Sequence, residues 1–417
     1  NLTAKDYTVL FLLAENWEVE CSHIHEKLMY STSKYLGCVI VLLTLKCLFI
    51  NNWYESLRNC YKAWPDGHLR PLGHQSPPIQ NSVDTLKKFP TPSEFYSNYV
   101  NPNRPVIFKD AIVKELAYLH WNDQYLSDNF GKIYLSVEFS KKENRNGRTG
   151  ILRLAEFLDK YDTDDIYLID SIPRGMLDDI NVPPFLQCGL LKRHLIDVMI
   201  WMSSGQTNSV VHYDTYDNVH CVVEGTKYLY LTSQLSYDEF DHPEEAFSGV
   251  DVERVDLFKY PGFSNLPWYN ITLTKGDCIF IPYKWIHQVK SSVGRNLSFN
   301  IWLTHLYWFN LSECSRHNPM ATHFSQDKFA THEDESRNTF IKLLGGPEVL
   351  NMQDFTKFYR YYISKDVEEG KQLFKEIDEN KDGEVSISEM YNLPSHTLLH
   401  YVGYLDNVMT ECQRTVN

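Results

Sequence analysis

Between residues 195 and 303 the chain alternates short apolar runs with turn signals. Ile196–Met202 is apolar and is followed by the turn SSGQTN. Val210–Asp214, Val219–Val223 and Lys227–Leu231 come next, the last two joined through Glu224 and Gly225. Ile271–Leu273, Cys278–Ile281 closed by Pro282, Ile286–Lys290 and Asn296–Leu303 complete the series. Many short strands broken by glycine turns predict an all-β sandwich or barrel of the jelly-roll type. Near the C-terminus the period changes. Val367, Leu373, Phe374 and Ile377 in VEEGKQLFKEI fall on one face of a helix.

The most apolar stretch, YLGCVIVLLTLKCLFI at residues 35–50, is interrupted only by Lys46. A full span takes roughly 20 apolar residues, so this one is short, and Lys46 lies near its end, where its stem can snorkel. It reads as a candidate transmembrane signal anchor, with a buried helix as the plainer alternative. Residues 1–34 precede it as an N-terminal segment. The chain opens on Asn1 rather than Met, which reads as processing or an incomplete gene model. Residues 51–84 read as a linker, rich in Pro, Gly and His over 63–83.

Composition narrows the function. Of 417 residues, 40 are Lys or Arg and 54 are Asp or Glu, a net charge of −14. An acid excess without a basic run argues against a nucleic-acid partner. Aromatic residues reach 14%, in keeping with a β-rich core. Nine widely spaced cysteines form no CxxC motif and no legible disulfide framework. Cys221 and Cys278, inside apolar runs, read as small buried hydrophobes.

Candidate chemistry lies within the strands. His212 and Asp214 in SVVHYDTYDNVH are spaced i and i+2, which puts both side chains on one face of a strand. His287, in FIPYKWIHQV, lies 73 residues beyond Asp214. Two imidazoles and a carboxylate can occupy one face of an octahedron around Fe(II), leaving three positions for a bidentate cosubstrate and O2. The catalytic and iron-ligand set is therefore His212, Asp214 and His287. His220 and His305 lack a paired carboxylate and read as structural.

Residues 85–310 resemble a JmjC domain, a cupin-type double-stranded β-helix, of the small hydroxylase group that includes factor-inhibiting HIF. The resemblance is carried by FPTPSEFYSNYVNPNRPVIFKDAI, HYDTYDNVHCVVEGTKYLYL and GDCIFIPYKWIHQVKSSVGRNLSFNIWL, in the family's order. It implies an Fe(II)- and 2-oxoglutarate-dependent dioxygenase, consuming O2 and releasing succinate and CO2. It also implies that Lys227, 15 residues after His212, holds the distal carboxylate of 2-oxoglutarate. A lysine inside a barrel is stable only when paired, which fits that role. Asn300, Asn218, Ser209 and Tyr167 are implied as further cosubstrate-binding residues, and Trp285 as packing beside the metal. The small size of the unit favours hydroxylation of a protein or peptide substrate. Ser233–Trp268, carrying Asp238, Glu239, Asp241, Glu244 and Glu245, reads as loops over the barrel mouth.

Residues 378–389, DENKDGEVSISE, follow the EF-hand spacing. Asp378, Asn380 and Asp382 stand at ligand positions one, three and five, and Gly383 at the sharp turn. Glu384 offers its carbonyl at position seven, Ser386 stands at nine and Glu389 gives the bidentate carboxylate at twelve. These residues predict a Ca(2+) site. Ile387 reads as the apolar residue that couples paired loops. Residues 343–362, with Leu350 and Asp354, read as a degenerate partner, so that 330–400 forms an EF-hand pair followed by a tail at 401–417.

Sequons at Asn1, Asn270, Asn296 and Asn310, the anchor and the calcium loop together point to an endoplasmic reticulum membrane protein with its catalytic domain in the lumen. Two other readings stand beside the hydroxylase. One is a catalytically inactive cupin acting as a calcium-responsive scaffold, against which the triad and Lys227 argue. The other is a methyl-lysine demethylase.

Overall fold

The computed structural model describes residues 64–79, 83–143, 147–188, 191, 194–241, 246–308, 322–326, 329–344 and 349–405. The apolar segment 35–50 and the sequons at Asn1 and Asn310 lie outside them. Among the described residues, no helix is long and apolar enough to cross a membrane.

Strands form where β-branched and aromatic residues recur between turns. In chain order they are β1 Asp84–Leu86, β2 Val106–Phe108, β3 Tyr134–Glu138, β4 Thr149–Arg153, β5 Tyr167–Ser171, β6 Leu195–Gly205, β7 His212–Tyr213, β8 Asp217–Glu224, β9 Thr226–Thr232, β10 Tyr269–Thr274, β11 Cys278–Ile281, β12 Ile286–Ser291 and β13 Val293–Leu303. The larger sheet has the order β1-β2-β11-β8-β13-β6-β5-β3-β4, and the smaller the order β10-β9-β12-β7. The expected strands are present, and the apolar run at Val210–Asp214 contracts to the two-residue β7. Gly225 makes the β8–β9 turn at φ +83°, and a Cβ there would lie 2.5 Å from Asn296 Oδ1.

Side-chain alternation sorts the faces. Val222, Ile279 and Ile281 of the larger sheet meet Leu229, Leu231, Ile271 and Leu273 of the smaller in one buried cluster, the barrel interior. The opposite face of the larger sheet, with Phe108, Val137, Leu168, Ile200, Val219 and Phe299, is covered by residues of α1 Pro92–Phe95, α2 Leu116–His120, α3 Asp123–Phe130 and α4 Leu154–Leu158.

Two sequence expectations change here. The stretch after Ser233 is not simply a set of loops over the mouth. Its residues Phe240, Val250, Val255, Leu257, Tyr260, Phe263, Leu266 and Trp268 pack on Tyr213, Tyr230 and Ile286, the outer face of the smaller sheet. Its acidic Asp241 is already paired with Lys259 at 3.3 Å. Cys221 and Cys278 are buried, yet they are bonded to each other. They stand opposite in the antiparallel β8–β11 register, with Cα atoms 4.1 Å apart. A sequence separation of 57 residues conceals that cross-strand pairing. Cys188 is disulfide-bonded as well.

The C-terminal helices are α5 His332–Leu343, α6 Met352–Tyr362, α7 Val367–Ile377, α8 Ile387–Asn392 and α9 Ser395–Val402. Thr331 and Asp334 form a capping box that starts α5, Asp366 caps α7, and Ser386 with Glu389 caps α8. Short strands β14 Val349–Asn351 and β15 Glu384–Ser386 pair antiparallel, Leu350 opposite Val385. The apolar residue that meets Leu350 across this strand pair is Val385, while Ile387, expected in that place, opens α8. The cluster behind the larger sheet runs on into Phe340, Phe355, Leu373, Phe374, Val385 and Tyr391, so barrel and helices share one core.

Candidate metal and cosubstrate site

The register of the smaller sheet builds the metal cluster. His212 lies opposite His287 across β7 and β12. Tyr213 faces the outer cluster, so its neighbour His212 faces inward. One ligand atom from each of His212, Asp214 and His287 lies within 4.8 Å of the others. His287 Nε2 is 3.8 Å from an Asp214 carboxylate oxygen, and the two imidazole centroids are 4.3 Å apart.

Both histidines are oriented in the same way. His212 Nδ1 lies 2.9 Å from the Val210 carbonyl, and His287 Nδ1 lies 2.9 Å from the Trp285 carbonyl. A carbonyl only accepts, so each Nδ1 carries the hydrogen and each Nε2 lone pair is directed to the cluster. Burial, then the neighbouring His212, pushes His287 down to about 4, which keeps its imidazole neutral as a ligand must be. Asn218 Nδ2 donates to Asp214 Oδ2 at 3.0 Å, and the Lys284 amide holds the Asp214 carbonyl. Trp285 is buried, its Nε1 donating to the Asn103 carbonyl at 2.9 Å.

Lys227 points inward by its alternation with Leu229 and Leu231. It is 2% exposed and, among the described residues, has no hydrogen-bond or ion-pair partner. Burial alone lowers its ammonium to about 8. Ser291 stands opposite Lys227 in register. The Ser291 hydroxyl bonds Thr207, which in turn bonds Tyr167. Burial raises the Tyr167 phenol above its ordinary range. Asn300 and Asn218 lie on the inner face and are joined by a 3.0 Å hydrogen bond. Ser209 reaches β12, where its hydroxyl accepts from the Val289 amide at 2.9 Å.

The structure adds His220, Thr207, Ser291 and Trp201 to the site. His220 lies inside the barrel with its Nδ1 on Asn300 Oδ1. Among the described residues, His220 Nε2, Trp201 Nε1 and Ser298 Oγ are buried polar atoms without partners. Alternation of polar residues on β8 and β13 covers His220 and Ser298, and only the register brings Ser298 opposite Trp201 of β6. His305 is held by buried Asp217 at 2.9 Å.

An uncompensated buried ammonium and several unpaired polar atoms beside a three-donor cluster fit an anionic cosubstrate chelated to a divalent metal. At the C-terminus, Asp378 accepts from the amides of Asp382 and Gly383, at 3.1 Å each. Glu389 accepts from the Asn380 amide at 3.4 Å and the Ser386 amide at 2.9 Å. The loop from Asp378 to Glu389 thus closes on itself between α7 and α8, with Gly383 at φ +84°.

Comparison with known proteins agrees with this architecture. A family model described as "Cupin-like domain" matches residues 92–308. Lysine-specific demethylase 8 of Xenopus tropicalis is 25% identical over 54% of this chain and 53% of its own length. Lysine-specific demethylase JMJ31 of Arabidopsis thaliana is 32% identical over 40% of this chain and 30% of its own length. The human Bifunctional peptidase and (3S)-lysyl hydroxylase JMJD7 is 25% identical over 53% of this chain and 84% of its own length. The chain spans about half the length of the first of these relatives.

Proposed function

For a chain that belongs to the Cupin-like domain family, we propose the function of an Fe(II)- and 2-oxoglutarate-dependent oxygenase that hydroxylates a protein side chain. The observation that carries this reading is Lys227, a buried cation without a partner beside three converging metal donors. His212, Asp214 and His287 would hold the iron, and Lys227 would bind the distal carboxylate of 2-oxoglutarate. Bound together, metal and cosubstrate supply the oxidising chemistry with O2. The protein's own part is positional. The Val210 and Trp285 carbonyls fix the tautomers of His212 and His287. Asn218 holds Asp214. The Thr207–Ser291 pair, with Tyr167, lines the pocket beside Lys227. The apolar interior of Leu229, Leu231 and Ile281 excludes water.

The test is 2-oxoglutarate turnover followed as succinate. His212→Ala and Asp214→Ala should abolish it, and turnover at the parent rate in both would end the reading. Demethylation of methyl-lysine is the second reading, favoured by the names of two relatives. The same site would then oxidise an N-methyl carbon. Mass spectrometry of trapped substrates separates the two: a gain of one oxygen supports hydroxylation, and loss of a methyl group supports demethylation.

Two further parts belong to the same proposal. The loop 378–389 binds Ca(2+) through Asp378, Asn380, Asp382, Glu389 and the Glu384 carbonyl, supported by its spacing and its closure around shared amide donors. Isothermal titration with Ca(2+) tests it, and no heat above that of Glu389→Ala would remove it. The chain works in the oxidising lumen of the endoplasmic reticulum, a reading supported by the Cys221–Cys278 bond. Asn270 is exposed on edge strand β10 and open to glycosylation, whereas Asn296 is 0% exposed and its amide is tied to Ser292 and Gly294. An endoglycosidase shift lost in Asn270→Gln and retained in Asn296→Gln is expected. A chain with free thiols at both cysteines and no glycan would remove the luminal reading.

A further inference from the structure

His220 sits six residues beyond Asp214 in sequence, and a run of hydrogen bonds ties the two. The direction of every bond in that run follows from one end. Asp214 Oδ2 belongs to a carboxylate and accepts, so the Asn218 group 3.0 Å away is its amide nitrogen. Asn218 Oδ1 therefore faces Asn300 and accepts from Asn300 Nδ2 at 3.0 Å. Asn300 then turns its Oδ1 to His220 Nδ1, at 2.5 Å, and that nitrogen must carry hydrogen. Asn218 and His220 share the inner face of β8, and Asn300 lies opposite His220 on β13.

We propose that His220 is a positioning residue for the metal ligand Asp214, acting through Asn300 and Asn218. This deepens the metal-site reading and rests on it. The Nδ1–H of His220 fixes the Asn300 amide, which fixes the Asn218 amide, which holds one carboxylate oxygen of Asp214. Without that donor, Asn300 can rotate its amide and the run loses its direction. All three side chains of the relay are at most 6% exposed, so water does not readily replace a missing donor. The groups bearing on His220 are Lys227 of β9, His287 of β12, Asn300 of β13 and Asp214, while β11 presents apolar Ile279. Burial, then Lys227, lowers the imidazole to about 3, so the neutral Nδ1–H form serves the relay across the physiological range.

The experiment titrates the full chain with Co(II), read by its visible ligand-field spectrum, with thermal unfolding of the metal-free chain as a control on folding. His220→Leu removes the donor and should weaken Co(II) binding about 10-fold, the lower end for outer partners of a metal site. His220→Asn returns an N–H at the same reach as Nδ1 and should restore most of the affinity. His220→Gln, whose N–H reaches the Nε2 position instead, should not. Imidazole 15N shifts of the metal-free parent, with His220 assigned by its loss in the Asn variant, should show the Nδ1–H tautomer. Parental Co(II) affinity and spectrum in His220→Leu, an Asn variant no better than Leu, or an Nε2–H tautomer would each overturn the relay. A parent chain that binds no Co(II) overturns the metal-site reading itself, and the relay with it.

Discussion

The barrel cluster and the C-terminal loop gather their candidate cation donors in opposite ways. In the barrel, donors 73 residues apart meet because β7 and β12 pair in one register. In the loop, all candidate ligands come from twelve consecutive residues, and the loop's own amides preorganise Asp378. The barrel offers two imidazole nitrogens and one carboxylate, His287 buried and the other two half-buried. The loop offers only oxygens, and much of it is exposed. Nitrogen donors select a transition metal and oxygen donors select calcium. The difference teaches that a site's dependence on the whole fold follows from how far apart its donors are in the chain.

That contrast can be broken by experiment. The largest effect is expected from Asp214→Ala, which should cut succinate release by more than about 100-fold, beyond what loss of an outer partner costs. Calcium-loop variants should leave the metal-dependent spectrum of the barrel intact.

Acid is the next lever. Burial lowers His194 to about 4 and His220 to about 3, both below the ordinary unfolded value of roughly 6.5. A histidine with a lowered folded pKa binds fewer protons folded than unfolded, so stability is lost as pH falls below about 6.5. By pH 5 each contributes a loss of roughly 2 kcal/mol, read as the urea midpoint of the metal-free chain. A midpoint unchanged between pH 7 and 5 would contradict the buried, neutral assignment.

Calcium at 100 times its dissociation constant should stabilise the chain by about 2.7 kcal/mol, and Glu389→Ala should remove that gain. Differential scanning calorimetry with and without Ca(2+) measures it. The smallest effect concerns Lys227. Burial lowers its ammonium to about 8, and the proposed binding of 2-oxoglutarate would use the charged form. Affinity of the Mn(II)-loaded chain for 2-oxoglutarate should therefore hold below pH 8 and fall up to about tenfold per unit above it. Lys227→Met should abolish that pH dependence along with tight binding.

Much of the barrel was legible because strand alternation and glycine turns are local signals. The i, i+2 spacing of His212 and Asp214 disclosed a shared cluster, and the spacing within 378–389 disclosed a closed turn between two helices. What depended on register was hidden. Ser291 meets Lys227 only across β9 and β12, and Cys221 meets Cys278 only across β8 and β11. His220 looked idle because its partner, Asn300, is 80 residues away. The strand contact at Val385 was hidden beside Ile387 because strand end and helix entry adjoin within two residues. The anchor at 35–50 lies outside the described residues.

The shared core has a practical corollary for anyone preparing the protein in pieces. Tyr391 of the helical part packs against His194 at 5.5 Å between ring centroids, and the Ala330 amide bonds the Leu195 carbonyl at the start of β6. Cutting the gene after the cupin-like segment would strip apolar neighbours from the back of the larger sheet and leave a sticky wall in water. The excised fragment should precipitate or demand detergent, so the smallest well-behaved expression unit extends through Leu405.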